Sequence, residues 1–324
     1  MILKNIYSQG EITPKLIRRC GNSIGTAFVI GMLVNEIIAI ILGIFLNPDI
    51  FDDMGFIWLY QIIASFITFF IPFIFITKPM NVRLSGVCNF AKPKKDITFP
   101  IILVGLAVCM VANVLGGMTV TFFQIIGLED VSSSLSVDMS SGWLISIAGL
   151  IAGSILPGLI EEFALRGVVM GTLRRFGNRF AILVSAGLFG IMHGTLTQIP
   201  FAFIVGLYLG FAAIKTGSIW TAFIIHTFNN FFAFLLELLT SNLTDTTKSI
   251  ISYIYFLVVV FLGFIGIYIL RNKKGAFSLK KEEDTNDLTL MQKIGKFSSA
   301  PMIIFYLIYI VLRFLSLKLL DVLI

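Results

Sequence analysis

The sequence predicts an all-α fold: a polytopic transmembrane helical bundle of about eight spans, with a ninth apolar C-terminal helix that either spans or lies in the interface. Three observations predict it. Hydrophobic residues make up 57% of the chain and mean hydropathy is +0.96, whereas a soluble domain is nearer half apolar and lacks long apolar runs. Several runs approach or exceed the roughly 20 residues that a helix needs to cross a bilayer. Lys and Arg gather in alternate gaps between those runs, as they do when successive loops lie on opposite sides of a membrane. The net charge of +6 resides in these loops, so it calls for no nucleic-acid partner.

Residues 1–22 are mixed polar, with Lys4, Lys15, Arg18 and Arg19, and read as a cytoplasmic amphipathic segment on the membrane surface. The N-terminal spans occupy 23–141. The first runs from Ser23 to Leu46 and ends at Asn47-Pro48; it is too long for a signal peptide, and no small-residue cleavage site follows. Glu36 sits inside it, a candidate functional carboxylate with no partner visible in the sequence. The second span covers Phe56 to Thr77 and the third Phe99 to Ile126, separated by a loop with Lys78, Arg83, Lys92, Lys94 and Lys95. The loop Gly127–Ser141 holds Glu129, Asp130 and Asp138 and no basic residue.

A core segment, 142–240, contains four spans: Gly142 to Leu173, Phe180 to His193, Ile199 to Ile214 and Ile219 to Leu239. The second and third of these are short. Pro157-Gly158 should kink the first, because proline deletes a helical hydrogen bond. The remainder, 241–324, holds a span from Ile250 to Leu270, a polar cytoplasmic loop over 271–297, and the apolar stretch Met302–Leu320 with Arg313 and Lys318. By the positive-inside rule the N-terminus is cytoplasmic, and the protein is a multi-pass protein of the cell membrane. Richness in Ile, Phe, Lys and Asn points weakly to an AT-rich bacterial genome. Cys20, Cys88 and Cys109 show no ligand spacing, so neither a disulfide framework nor a thiolate metal site is expected.

Chemistry-bearing residues concentrate in the core segment. Glu161 and Glu162 stand deep in an apolar run, followed by Arg166. Charged groups at membrane depth face a bundle interior or a wet cavity. Glu162 and Arg166 are spaced i, i+4, so they share a helix face and can pair. Glu161 is rotated by about 100° from that face and is available for another role. Only two histidines exist, His193 and His226, and both fall in later apolar runs. Phe189 lies one turn before His193 and can wall it off from lipid; Asn230 lies one turn after His226 and shares its face. Glu, His, His and Asn together can activate water and stabilise an oxyanion. His and carboxylate groups can also hold zinc, although no His-Glu-x-x-His signature is present.

The ordered set Glu161-Glu162-x-x-x-Arg166, Phe189-x-x-x-His193 and His226-x-x-x-Asn230 resembles the CAAX-protease and bacteriocin-processing (Abi) family of intramembrane proteases. The resemblance covers Gly142 to Leu239. It implies an intramembrane cavity, open toward the cytoplasm, where a peptide bond of a peptide or membrane-protein substrate is hydrolysed. It implies that Glu161 is the general base, assisted by His193, that His226 and Asn230 bind the oxyanion, and that Glu162 and Arg166 support them. Zinc is an optional cofactor under this reading, and the metal-free version is favoured because Asn is a poor zinc ligand but a good oxyanion donor. The alternative is a non-catalytic scaffold of the same fold, serving bacteriocin immunity or regulating a membrane sensor. A transporter would also place Glu, Arg and His in spans, but no internal repeat is present.

Overall fold

The computed structural model describes residues 13–125, 142–195, 198–279 and 288–323, with side chains up to residue 315. The acidic loop Gly127–Ser141 and residues 1–12 therefore lie outside the described residues. Among the described residues there is no strand; the architecture is an all-α bundle. We label its main helices α1 (Pro14–Phe45), α2 (Met54–Phe75), α3 (Lys95–Ile125), α4 (Trp143–Phe176), α5 (Asn178–Met192), α6 (Gln198–Thr216), α7 (Ile219–Thr240), α8 (Asp245–Arg271), α9 (Leu290–Ser298) and α10 (Pro301–Leu323).

Seven of these helices are long and apolar enough to cross a membrane, and the pair α9–α10, bent by 73°, would make an eighth if it counts as one span. The protein is thus a multi-pass membrane protein. Two expectations need correction. The expected fifth span is the 15-residue helix α5; at 1.5 Å per residue it reaches only about 22 Å, short of the ~30 Å apolar thickness of a bilayer. The basic segment ahead of span one is not a separate surface helix over 14–22. Thr13 caps the helix by accepting from Leu16 N–H, Pro14 opens it, and it runs unbroken to Phe45. Proline at the first turn is favourable because its missing N–H would have had no helical partner.

Lipid-facing and packed surfaces separate cleanly. Ile37, Ile40, Ile41 and Ile44 of α1 and Tyr253, Leu257, Phe261 and Phe264 of α8 are exposed, as a bilayer solvent permits. Inside, α3 packs on α8, α6 and α7, α6 on α5, α4 on α5 and α7, and α1 on α2, α9 and α10. Most of the basic residues collect at one end of the bundle, with Lys248 at the other end of α8. Arg175, at the end of α4, reaches Cys20 Sγ (2.8 Å) in α1 and Met80 O (3.4 Å) after α2. Lys94 N–H donates to Thr216 O at 3.1 Å, and Lys215 Nζ donates to the carbonyls of Gly275 and Ser278. The three cysteines are buried and unpaired. Burial pushes the Cys88 thiol, in the loop between α2 and α3, up to about 12, so it stays protonated and inert.

Helix α4 is irregular where the sequence suggests it should be. Segments Ile151–Ile155 and Phe163–Met170 are wound as π-helix on either side of Leu156–Glu162, which contains Pro157. Such bulges re-aim side chains and are frequent at functional sites. They also leave carbonyls seeking partners, and Ser185 Oγ of α5 donates to Leu165 O at 3.0 Å.

Candidate active site

Three close approaches bring the motifs together. Helices α4 and α5 are joined by Gly177 alone, whose φ of 119° suits glycine; the one-residue link folds them back as antiparallel neighbours. Gly158 of α4 touches α7, and a Cβ there would lie 2.3 Å from Thr227 Oγ1 and 3.2 Å from Thr227 N. That contact seats His226, the preceding residue, against the carboxylates. Gly206 of α6 lies against Ala186 and Phe189 of α5 and turns its carbonyl toward Arg166.

The result is a buried charge cluster behind a cavity. Glu162 Oε1 accepts from Arg166 Nη1 at 2.8 Å, as the i, i+4 spacing predicts, and also from His226 Nδ1 at 3.0 Å. Arg166 and Glu162 are each only 1% exposed. Arg166 Nη2 donates to Gly206 O at 3.3 Å, and its guanidinium stacks 4.3 Å from the centre of the Phe189 ring. Phe189 does more than wall off one histidine. Its ring stands edge-on to both His193 (4.9 Å) and His226 (5.6 Å), so it packs all three nitrogen-bearing groups in fixed relation.

Hydrogen bonding settles the proton positions on both rings. His193 Nδ1 lies 2.7 Å from Phe189 O. A carbonyl only accepts, so Nδ1 carries the proton and Nε2 holds a lone pair in the neutral ring. His226 Nδ1 likewise donates to the Glu162 carboxylate, so its Nε2 is a donor only in the imidazolium form.

Glu161, His193, His226 and Asn230 all line one cavity of about 560 Å³, together with Phe189 and Pro157. Glu162 and Arg166 sit behind it rather than in its wall. Glu161 takes no part in the ion pair, and its Oε2 is buried without a hydrogen-bond partner among the described residues. Among the cavity residues that the sequence reading missed, four are carboxamides: Gln61, Asn113, Gln198 and Asn229. Their signal was a carboxamide inside an apolar run, unremarkable singly. Asn229 Nδ2 donates to Asn230 Oδ1 at 3.1 Å, leaving the amide NH₂ of Asn230 free to donate elsewhere. Glu36 lies outside this site. Its partners are Arg313 (3.6 Å) and Tyr309 (3.1 Å) of α10, beside a second cavity of about 370 Å³.

Zinc would need three or four converging His, Cys or carboxylate ligands. Among the described residues no three such groups are gathered to hold a metal ion, so the donor set does not fit zinc and the steps below use protein groups alone. The cavity extends along the bundle. Gln198 opens α6, His193 ends α5, and Gly117 and Val120 lie in the last turns of α3. All belong to the half of the bundle away from the basic end. Glu161, His226 and Asn230 line the same cavity nearer the middle of the bundle, Glu161 about 22 Å from the Phe176 end of α4 and His226 about 10 Å from the start of α7.

A family model, type II CAAX prenyl endopeptidase Rce1-like, matches residues 143–232, the stretch that carries all three motifs. The chain is also similar to the membrane-embedded CAAX protease MroQ of Staphylococcus aureus (strain USA300), with 29% identity over 171 residues, covering 51% of this chain and 68% of that protein. It is 30% identical over 90 residues to a Bacillus subtilis (strain 168) protein named "Putative membrane peptidase YdiL", covering 28% of this chain and 37% of that one. No solved structure matches. The family resemblance read from the motifs thus agrees with the match over residues 143–232; helices α1–α3 and α8–α10 lie outside that stretch.

Proposed function

We propose that the protein is an intramembrane endopeptidase whose Rce1-like domain hydrolyses a peptide bond of a membrane-held peptide or protein. The observation that carries this reading is the convergence of Glu161, His193, His226 and Asn230 on one cavity, backed by the buried Glu162–Arg166–His226 cluster.

In the proposed reaction a water molecule sits between Glu161 and His193. Its proton passes to the Glu161 carboxylate while the His193 Nε2 lone pair orients it. The water oxygen bonds to the carbonyl carbon of the substrate, and the C=O electron pair moves to oxygen. His226 Nε2–H and the Asn230 amide NH₂ donate to that oxyanion. Glu162 faces the imidazolium charge of His226 and, with Arg166 and Phe189, keeps the ring from turning. On collapse the C–N bond breaks, and Glu161 returns its proton to the leaving nitrogen. The products are a carboxylic acid, which then loses its proton to water, and an amine. The basic end of the bundle faces the cytoplasm in this reading.

The test is hydrolysis by the full chain in liposomes, offered a panel of apolar peptides of about 20 residues in heavy-oxygen water. Fragments with one heavy oxygen in the new carboxylate, lost in Glu161→Gln, are expected. Comparison of host membrane peptides with and without Glu161→Ala extends the test to natural substrates. No cleavage by the wild-type chain in either setting would overturn the proposal.

A further inference from the structure

One wall of the cavity is built in a way that catalysis does not explain. Asn113, Gly116, Gly117 and Val120 of α3 all line it. Their spacing i, i+3, i+4, i+7 makes them one stripe along the helix, small and polar on a helix that is otherwise strongly apolar. Glycine inside a helix is unfavourable relative to alanine and usually answers to a close neighbour. Gly117 has none: a Cβ there would meet nothing within 4 Å. Gly153 of α4, also in the wall, would make only ordinary contacts, the nearest 3.8 Å from Phe234. These glycines hold space open rather than let helices touch.

The opposite wall supplies an independent sign of a ligand. Asn229 of α7 is 8% exposed. Its Nδ2 is used by Asn230, yet its Oδ1 is buried with no hydrogen-bond partner among the described residues. A buried acceptor left unmatched is unfavourable unless something that enters the cavity satisfies it. Gln61 of α2 lines the same cavity, with its amide reaching Ala152 O only at 3.4 Å. Carboxamides both donate and accept. That is the pair of functions a main chain demands once it leaves a helix: in a bilayer each freed N–H and C=O must find a partner, and a helical bond is not open to attack at its carbonyl.

We propose that the slot between the Asn113–Val120 stripe of α3 and Asn229 of α7 binds the unwound main chain of the substrate beside Glu161, with Asn113, Asn229 and Gln61 as its hydrogen-bonding groups. The glycines admit the strand, and the carboxamides replace the helical hydrogen bonds that it gives up. The ligand class is an apolar peptide segment in extended conformation. This inference rests on the peptidase reading and extends it from the reacting groups to substrate positioning.

The experiment uses the full chain in liposomes and two probe peptides of about 20 apolar residues, one with a central Gly-Pro break and one of uninterrupted Leu and Ala. The broken peptide should be cleaved faster. Asn113→Leu should raise KM for it about tenfold, the loss of roughly one well-made hydrogen bond, with a smaller change in kcat, and Asn113→Gln should recover part of the loss. Gly117→Phe should fill the slot and abolish cleavage. Neither variant should lower the melting temperature, since one replaces an exposed polar residue of a helix and the other replaces a helical glycine; a structural role would lower it. Binding is read separately by a photo-crosslinking residue at position 113 in the Glu161→Gln chain. Cleavage with unchanged KM in Asn113→Leu and full activity in Gly117→Phe would refute the slot while leaving the peptidase reading intact. Crosslinking of the probe without any cleavage by the wild-type chain would refute the peptidase reading and keep the slot. Loss of activity accompanied by a fall in melting temperature in both variants would overturn the positioning role.

Discussion

Removing either charge of the Glu162–Arg166 pair should hurt far more than removing both. Arg166→Met takes away the 2.8 Å bond to Glu162, the bond to Gly206 O and the stack on Phe189. It leaves a carboxylate with only 1% exposure and one remaining partner, His226. Breaking a buried pair by removing one partner costs about 3–5 kcal/mol. Glu162→Gln strands a buried guanidinium and should lose a comparable amount. In the double variant neither charge of the Glu162–Arg166 pair is stranded, a neutral His226 ring can still hydrogen-bond at position 162, and replacing a buried pair by neutral groups of similar size is often close to neutral, so a loss of about 0–2 kcal/mol is expected. The sum of the singles would be roughly 6–10 kcal/mol, giving a coupling of at least about 4 kcal/mol. Reversible unfolding in mixed micelles, followed by the fluorescence of Trp58, Trp143 and Trp220, measures all three. A double variant as unstable as the sum of the singles would refute the reasoning: the two side chains would then contribute through packing and separate partners, not as a pair.

Glu161→Gln should keep stability within about 0.5 kcal/mol, since Glu161 has no ion pair to lose, while abolishing hydrolysis; unfolding by this change would show that Glu161 is structural. Gly158→Ala should destabilise by about 1–3 kcal/mol through overpacking against Thr227 and lower activity with it, and adding Thr227→Ala should recover part of both, as thermal denaturation and cleavage assays would show. In intact cells, Lys92→Cys and Lys273→Cys should resist an impermeant thiol reagent while Asp245→Cys, at the other end of α8, reacts; the reverse pattern would invert the proposed orientation.

Much of the fold was legible because a bilayer makes long apolar runs unambiguous, yet runs mark spans rather than helices. Hydropathy lost sight of α1 where Lys15, Arg18 and Arg19 begin, although the helix does not end at a polar surface; the Thr13-Pro14 start signal was the better guide. The shortness of α5 was visible, but its failure to reach across was not, because the count of spans presumed that each apolar run crosses. In the site, i, i+4 spacing gave the Glu162–Arg166 pair directly. It could not give the third member, His226, which arrives from 64 residues away through the contact at Gly158. Nor could it give Asn113 or Asn229, whose importance lies in facing one cavity from two helices. Glu36 had a partner all along in Arg313, out of reach of any local pattern.

The place of Glu161 along α4 sets the size of what leaves the enzyme. It stands about 27 Å from Trp143 and about 22 Å from the far end at Phe176, measured along the helix, close to the middle of a span. A substrate segment of roughly 20 apolar residues severed there yields halves of about ten residues each, and neither can cross a bilayer alone. The cut would thus convert an anchored chain into two pieces with only a surface hold on the membrane. Departure of the products from the membrane would then be built into where the bond is broken, and no second cut would be needed to release them.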